Sequence, residues 1–104
     1  LVQSFVRVGN IARMTETGVV DPALFVAQEE GALHSAYERA VVARSEGADT
    51  LPAEQELARA IDAFFDAVMV MDKDERIKKN RLTLLKVIDN YLLYTADYSK
   101  IVLN

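Results

Sequence analysis

Apolar residues recur at intervals of three and four along most of the chain, and alternation of apolar with polar residues is nowhere sustained long enough to make a useful strand. That periodicity restricts the chain to packed helices, and glycine and proline divide it into four segments. In the first, Leu1, Phe5, Val8, Ile11 and Ala12 share one face, Gln3, Arg7, Asn10 and Arg13 fall opposite, and Gly18 closes the pattern. Asp21 as N-cap and Pro22 at the first helical position open the second, with Val26, Leu33, Tyr37, Ala40 and Val41 as its stripe and Gly47 at its end. Pro52 starts the third, where Leu57, Ile61, Phe64, Phe65 and Val68 form a single apolar face. The fourth begins near Asp72 or Asp74 and runs to the end of the chain. Residues 68–71, Val-Met-Val-Met, are β-prone and read either as a strand-like piece or as a buried turn.

The predicted fold is all-α: a four-helix bundle, or a closely related orthogonal packing, formed as one domain over residues 1–104. With 51% apolar residues, a chain of 104 residues buries a core without staples, and it contains no cysteine. A cytoplasmic location is expected. The apolar runs are only a few residues long, well short of the roughly 20 that a spanning helix needs, so no membrane role is expected. The chain opens on Leu1 inside a helical pattern with no cap ahead of it, and is expected to be a piece of a longer protein.

Residues suited to catalysis are present without the partners they need. His34 stands alone beside the second stripe, with neither a second histidine nor a cysteine to complete a metal site or dyad. Pairs such as Glu29/Glu30 and Glu54/Glu56 do not converge on one helix face and read as solubilising surface. Gly9, Gly18, Gly31 and Gly47 are too scattered to form a phosphate loop. No catalytic residue and no metal ligand is assigned, and this stretch of chain is expected to be non-catalytic.

The net charge of −4 argues against a nucleic-acid partner, but its distribution softens that objection. Between Met14 and Asp66 there are eleven acidic residues against Arg39, Arg44 and Arg59. Between Lys73 and Lys86 the balance reverses, with Lys73, Arg76, Lys78, Lys79, Arg81 and Lys86 against Asp74 and Glu75. Such a cluster reads as a solvated helix face or as a footprint for phosphates.

The segment FFDAVMVMDKDERIKKNRLTLL at residues 64–85, with RVGNI at 7–11, DPALF at 21–25 and ADYSK at 96–100, resembles the C-terminal anticodon-binding domain of the bacterial glycyl-tRNA synthetase β subunit. The resemblance covers the chain outside residues 28–56. The same helical domain type ends arginyl-tRNA synthetases, the nearest rival, but VMVM, Asn80-Arg81 and ADYSK favour the glycyl β subunit. Val6 departs from the pattern, since that family commonly has a basic residue before Arg7.

The resemblance implies a C-terminal module of an ATP-dependent ligase that charges tRNA with glycine, in which the β subunit works with a separate catalytic α subunit. The module would grip the anticodon arm of tRNA-Gly, with the catalytic α subunit and the remainder of the β subunit as its protein partners. ATP and Mg would serve the parent enzyme, with no cofactor in this domain. A helical protein-interaction domain without RNA contact is the other reading.

Helical position sorts the signature. Ile77, Leu84, Ile88 and Tyr91 define the buried direction of the fourth helix, and Arg81 lies within about 40° of it at 100° per residue. Arg81 is therefore expected to be structural, paired with Asp66, as are Phe64 and Phe65 of the core stripe. Asn80 is expected either to bond backbone groups of the VMVM turn or to touch RNA. Lys79 and Lys86 on the outer face, Lys73 and Arg76 near the helix start, and Arg7, Asn10 and Arg13 on the first helix are the remaining tRNA-binding candidates. Leu82 and Leu93 lie off the stripe and suggest a contact with the parent chain.

Overall fold

The computed structural model describes residues 2–13, 15 and 18–95, with side chains for 3–13, 15 and 18–92. Within them the chain forms four α-helices and no strand: α1 (Val2–Ala12), α2 (Gln28–Ser45), α3 (Leu51–Ala67) and α4 (Glu75–Thr95), with a single 3-10 turn at Pro22–Leu24. Among the described residues, no helix is long and apolar enough to cross a membrane. Leu1, the side chains of Leu93 and Tyr94, Tyr98 and the ADYSK stretch lie outside the described residues.

Helix α4 is the spine. Residues 80–85 are buried without interruption, as are Ile88, Asp89, Tyr91 and Leu92, so protein surrounds its middle turns. Helices α2 and α3 pair as a hairpin, turned by Gly47 in the left-handed region at φ 70°, a conformation that costs glycine little. Helix α1 packs mainly on α4 and also on α3, where Ser4 Oγ donates to Asp62 Oδ1 at 2.7 Å. Gly9 permits close approach, because a Cβ there would stand 3.2 Å from Asp89 Oδ1. Residues 18–21 run antiparallel to α4: Gly18 lies against Thr83, and Asp21 against Asn80.

The core joins Val8 of α1, Leu33, Ala36 and Ala40 of α2, Leu57, Ile61 and Phe64 of α3, and Leu84, Leu85, Ile88 and Leu92 of α4. Full burial of each large side chain contributes about 1.5–3 kcal/mol. Tyr91 keeps its hydroxyl satisfied inside this core by donating to the Ala40 carbonyl at 3.3 Å.

Several sequence expectations need correction. Asp21 caps only the 3-10 turn, its Oδ1 accepting from Ala23 N–H at 3.0 Å, and α2 starts six residues later than Pro22. The break arises because Phe25 and Ala27 are extended, and the N–H groups of Val26 and Ala27 both bond Glu30 Oε2 at 2.7 Å. Ala27 has no side-chain acceptor, so only the Glu30 half of a capping box exists. Val26 consequently precedes α2 and is exposed, and Val41, within α2, is exposed as well.

Glu30 is not surface: it is 0% exposed. It, rather than Asp66, is the partner of Arg81, whose Nε lies 2.9 Å from Glu30 Oε1 and whose Nη2 lies 3.4 Å from Oε2. Asp66 is exposed, on the outer side of α3. Arg81 Nη1 also donates to the Met69 carbonyl at 2.6 Å and to Asp72 Oδ2 at 3.3 Å. The structural role expected for Arg81 thus falls to a different carboxylate, and the Val-Met-Val-Met run is a turn held by Arg81 rather than Asn80. Leu82, expected to face outward, is buried within this chain at 8% exposure.

Candidate nucleic-acid interface

Helix α4 begins under tight local control. Asp72 Oδ1 accepts from Asp74 N–H at 2.8 Å, and Asp74, the residue before the helix, accepts from Arg76 N–H at 2.9 Å through Oδ1. Its own carbonyl receives Lys78 N–H at 2.9 Å, so Asp74 serves as N-cap. The backbone hydrogen bond from Arg76 holds the Asp74 carboxyl below the usual range, outweighing the opposing effect of desolvation. This cap fixes the direction in which Arg76, Lys78 and Lys79 leave the first turns.

Behind the cap lies the Arg81 cluster. Burial pushes the Glu30 carboxyl upward, but the hydrogen bonds from Arg81 and from the Ala27 and Val26 N–H groups, with the adjacent guanidinium charge, bring it below its ordinary value. Glu30 is therefore ionised at neutral pH, and through Arg81 it is joined to the 68–72 turn, so that the start of α2, that turn and α4 form one unit. With every guanidinium nitrogen engaged and 5% exposure, Arg81 has no face free for RNA.

Thr15, residues 18–24 and the N-terminal half of α4 enclose an open cleft of about 670 Å³. Arg76, Lys79 and Asn80 line it, together with Thr15, Val19 and Asp21. Asn80 is committed to its far wall: Oδ1 accepts from Asp21 N–H at 2.8 Å, and Nδ2 donates to the Asp21 carbonyl at 3.0 Å. It fixes the loop rather than the Val-Met-Val-Met turn. Arg76 sits 3.6 Å from its cap residue Asp74, whereas Lys79 is exposed and has no ion-pair partner among the described residues.

The other candidates are dispersed. Lys73 is exposed ahead of α4, and Lys86 is half-buried two turns beyond Lys79; neither lines the cleft. Asn10 on α1 and Arg13, one residue past its end, are exposed and bonded to each other at 3.4 Å. Arg7 lies toward α3, its guanidinium carbon 4.3 Å from the Phe65 ring centroid in a cation–π contact. Phe64 is fully buried and Phe65 half-buried.

Sequence reasoning missed Lys78, Asp21 and Glu30 as site or support residues. Lys78 lines the cleft and lies 4.0 Å from Glu75. Glu30 carried a usable signal, since it stands three residues before Leu33 and seven before Tyr37, on the stripe itself. The Asp21–Asn80 contact joins residues 59 positions apart and has no local signature.

The arrangement offers cations and hydrogen-bonding edges rather than a reacting pair. His34 is set between the rings of Phe25 and Tyr37, with centroids at 5.6 and 6.3 Å, and lies 3.8 Å from Glu38. Among the described residues no three His, Asp or Glu side chains converge to hold a metal ion.

A family model for the DALR anticodon binding domain matches residues 2–96. The chain is similar to the glycine–tRNA ligase beta subunit of Syntrophus aciditrophicus, at 41% identity over 108 residues covering 98% of this chain. It is likewise 42% identical over 107 residues to that of Geobacter metallireducens and 36% over 109 residues to that of Pediococcus pentosaceus, covering 97% and 96% of this chain. The chain spans 16%, 16% and 15% of the length of these three relatives.

Proposed function

Because the chain belongs to the DALR anticodon binding domain family, we propose that it is the anticodon-gripping module of a glycine–tRNA ligase beta subunit, a C-terminal piece of a longer chain folded as one domain over residues 1–104. The observation that carries the reading beyond the family is the cleft beside α4, where Arg76, Lys78 and Lys79 line one wall of a preformed recess on an otherwise acidic chain. Lys79, Lys73 and Lys86 are the strongest phosphate contacts, because none spends its ammonium on a carboxylate among the described residues. Asn10 and Arg13 extend the polar surface, while Asn80 and Arg7 act chiefly by positioning.

On this reading the domain binds and orients tRNA-Gly, and glycylation takes place elsewhere in the assembly. ATP and Mg supply the activation chemistry of the parent enzyme. The residues here do not fit them, having neither a glycine-rich phosphate loop nor a carboxylate cluster among the described side chains. The remainder of the beta subunit and a catalytic alpha subunit are the proposed protein partners, in the cytoplasm. The relatives favour the glycyl over the arginyl enzyme.

Filter binding of the full-length subunit to tRNA-Gly and to the same tRNA with a substituted anticodon tests the reading. Preferential binding of tRNA-Gly supports it. Equal binding of the two, or failure of tRNA-Gly to bind, overturns it.

A further inference from the structure

The cleft holds one carboxylate in a fixed place, and its surroundings give that carboxylate a task. Asp21 has both backbone groups gripped by Asn80, at 2.8 and 3.0 Å, and Asn80 is itself 5% exposed. Asp21 Oδ1 is occupied with Ala23 N–H at 3.0 Å. Its second oxygen has no hydrogen-bond donor among the described residues. An acceptor is thus held at the edge of a recess that also contains the unpaired Lys79 ammonium and the 92% exposed side chain of Val19.

An anion alone would not favour a carboxylate so near. A nucleotide satisfies all three features: its phosphate is drawn to Lys79, the flat face of an unstacked base covers Val19, and an exocyclic amino group donates to Asp21. The geometry points to Asp21 as a base-reading residue that accepts from the amino group of one unstacked anticodon base, favouring cytosine over uracil at that position. Cytosine presents an amino donor where uracil presents a carbonyl oxygen, which a carboxylate repels. Asn80 is the positioning residue, since its paired hydrogen bonds hold Asp21 before RNA arrives.

The inference rests on the anticodon-binding reading, and the experiment separates the two. Equilibrium binding of the full-length subunit is measured for tRNA-Gly and for variants in which each anticodon cytosine is replaced in turn by uracil. One replacement is expected to weaken wild-type binding by on the order of tenfold or more. Asp21→Asn retains an oxygen to cap Ala23 and turns the free acceptor into an amide donor. It is expected to reduce that ratio to below about threefold while leaving the salt dependence intact. Asp21→Ser, also a competent cap, should reduce the ratio as well and serves if Asp21→Asn does not fold. An unchanged ratio in a folded Asp21 variant, or no cytosine preference at any position in a wild type that still distinguishes tRNA-Gly from other anticodons, overturns the Asp21 assignment alone. Absence of anticodon-dependent binding altogether overturns the reading beneath it.

Discussion

Replacing Arg81 with alanine separates structural support from RNA contact. The guanidinium makes two bonds to Glu30, at 2.9 and 3.4 Å, one to the Met69 carbonyl at 2.6 Å and one to Asp72 at 3.3 Å. Removing one member of a buried, hydrogen-bonded ion pair costs about 3–5 kcal/mol, because the other charge is left behind. Here Glu30 keeps two backbone donors, so the lower end, about 3 kcal/mol, applies. Against a total of about 5–15 kcal/mol for a domain of this size, that is a large fraction. At about 4–8 °C per kcal/mol, Tm should fall by more than about 10 °C. Thermal unfolding followed by circular dichroism reads this directly, and tRNA affinity measured well below Tm should change less than about threefold, since no RNA-facing group is lost. Combining Arg81→Met with Glu30→Leu should recover only part of the loss, because the Val26 and Ala27 N–H groups and the Met69 carbonyl would be left without partners. A Tm within about 2 °C of wild type accompanied by a tenfold loss of tRNA affinity would refute the structural role of Arg81.

Acid should expose the same cluster. The folded Glu30 pKa lies below its unfolded value of 4.5, so its contribution is complete at neutral pH and is lost as pH falls below about 4.5 and through the lowered folded value. A urea midpoint series from pH 7 to pH 3 should show a shallower acid slope for Glu30→Gln than for wild type, despite the lower stability of the variant. Asp74→Ala should cost about 1 kcal/mol through loss of the α4 N-cap, read as a shift in urea midpoint with unchanged slope. Gly9→Leu should cost about 1–3 kcal/mol, since even its Cβ would stand 3.2 Å from Asp89 Oδ1, and a wild-type Tm would disprove the close approach of α1 to α4.

The sequence made the helices legible because their punctuation is local. Gly47 and Pro52 bracket the α2–α3 turn, and Asp74 marks the α4 start within the expected range. The start of α2 was misread because Asp21-Pro22 is a sound capping signal in isolation, and only the pull of Glu30 on two upstream N–H groups moves the helix to Gln28. Arg81 could be placed beside the core from its angle on α4, but its partner could not be chosen. The nearest carboxylate along the chain, Asp66, points outward, while Glu30 arrives from a position 51 residues away. The cleft was the least legible feature. Its basic wall is one contiguous run on α4, but its other wall depends on antiparallel packing of residues 18–21 against that helix.

The salt dependence of tRNA binding tests the central claim most directly. For the full-length subunit, log K against log salt should fall steeply for wild type. The slope should become shallower by roughly 1 for each phosphate-contacting lysine removed in Lys79→Ala with Lys86→Ala, with weaker binding to every tRNA tested. A double variant with wild-type affinity and an unchanged slope would show that RNA does not lie along this face of α4.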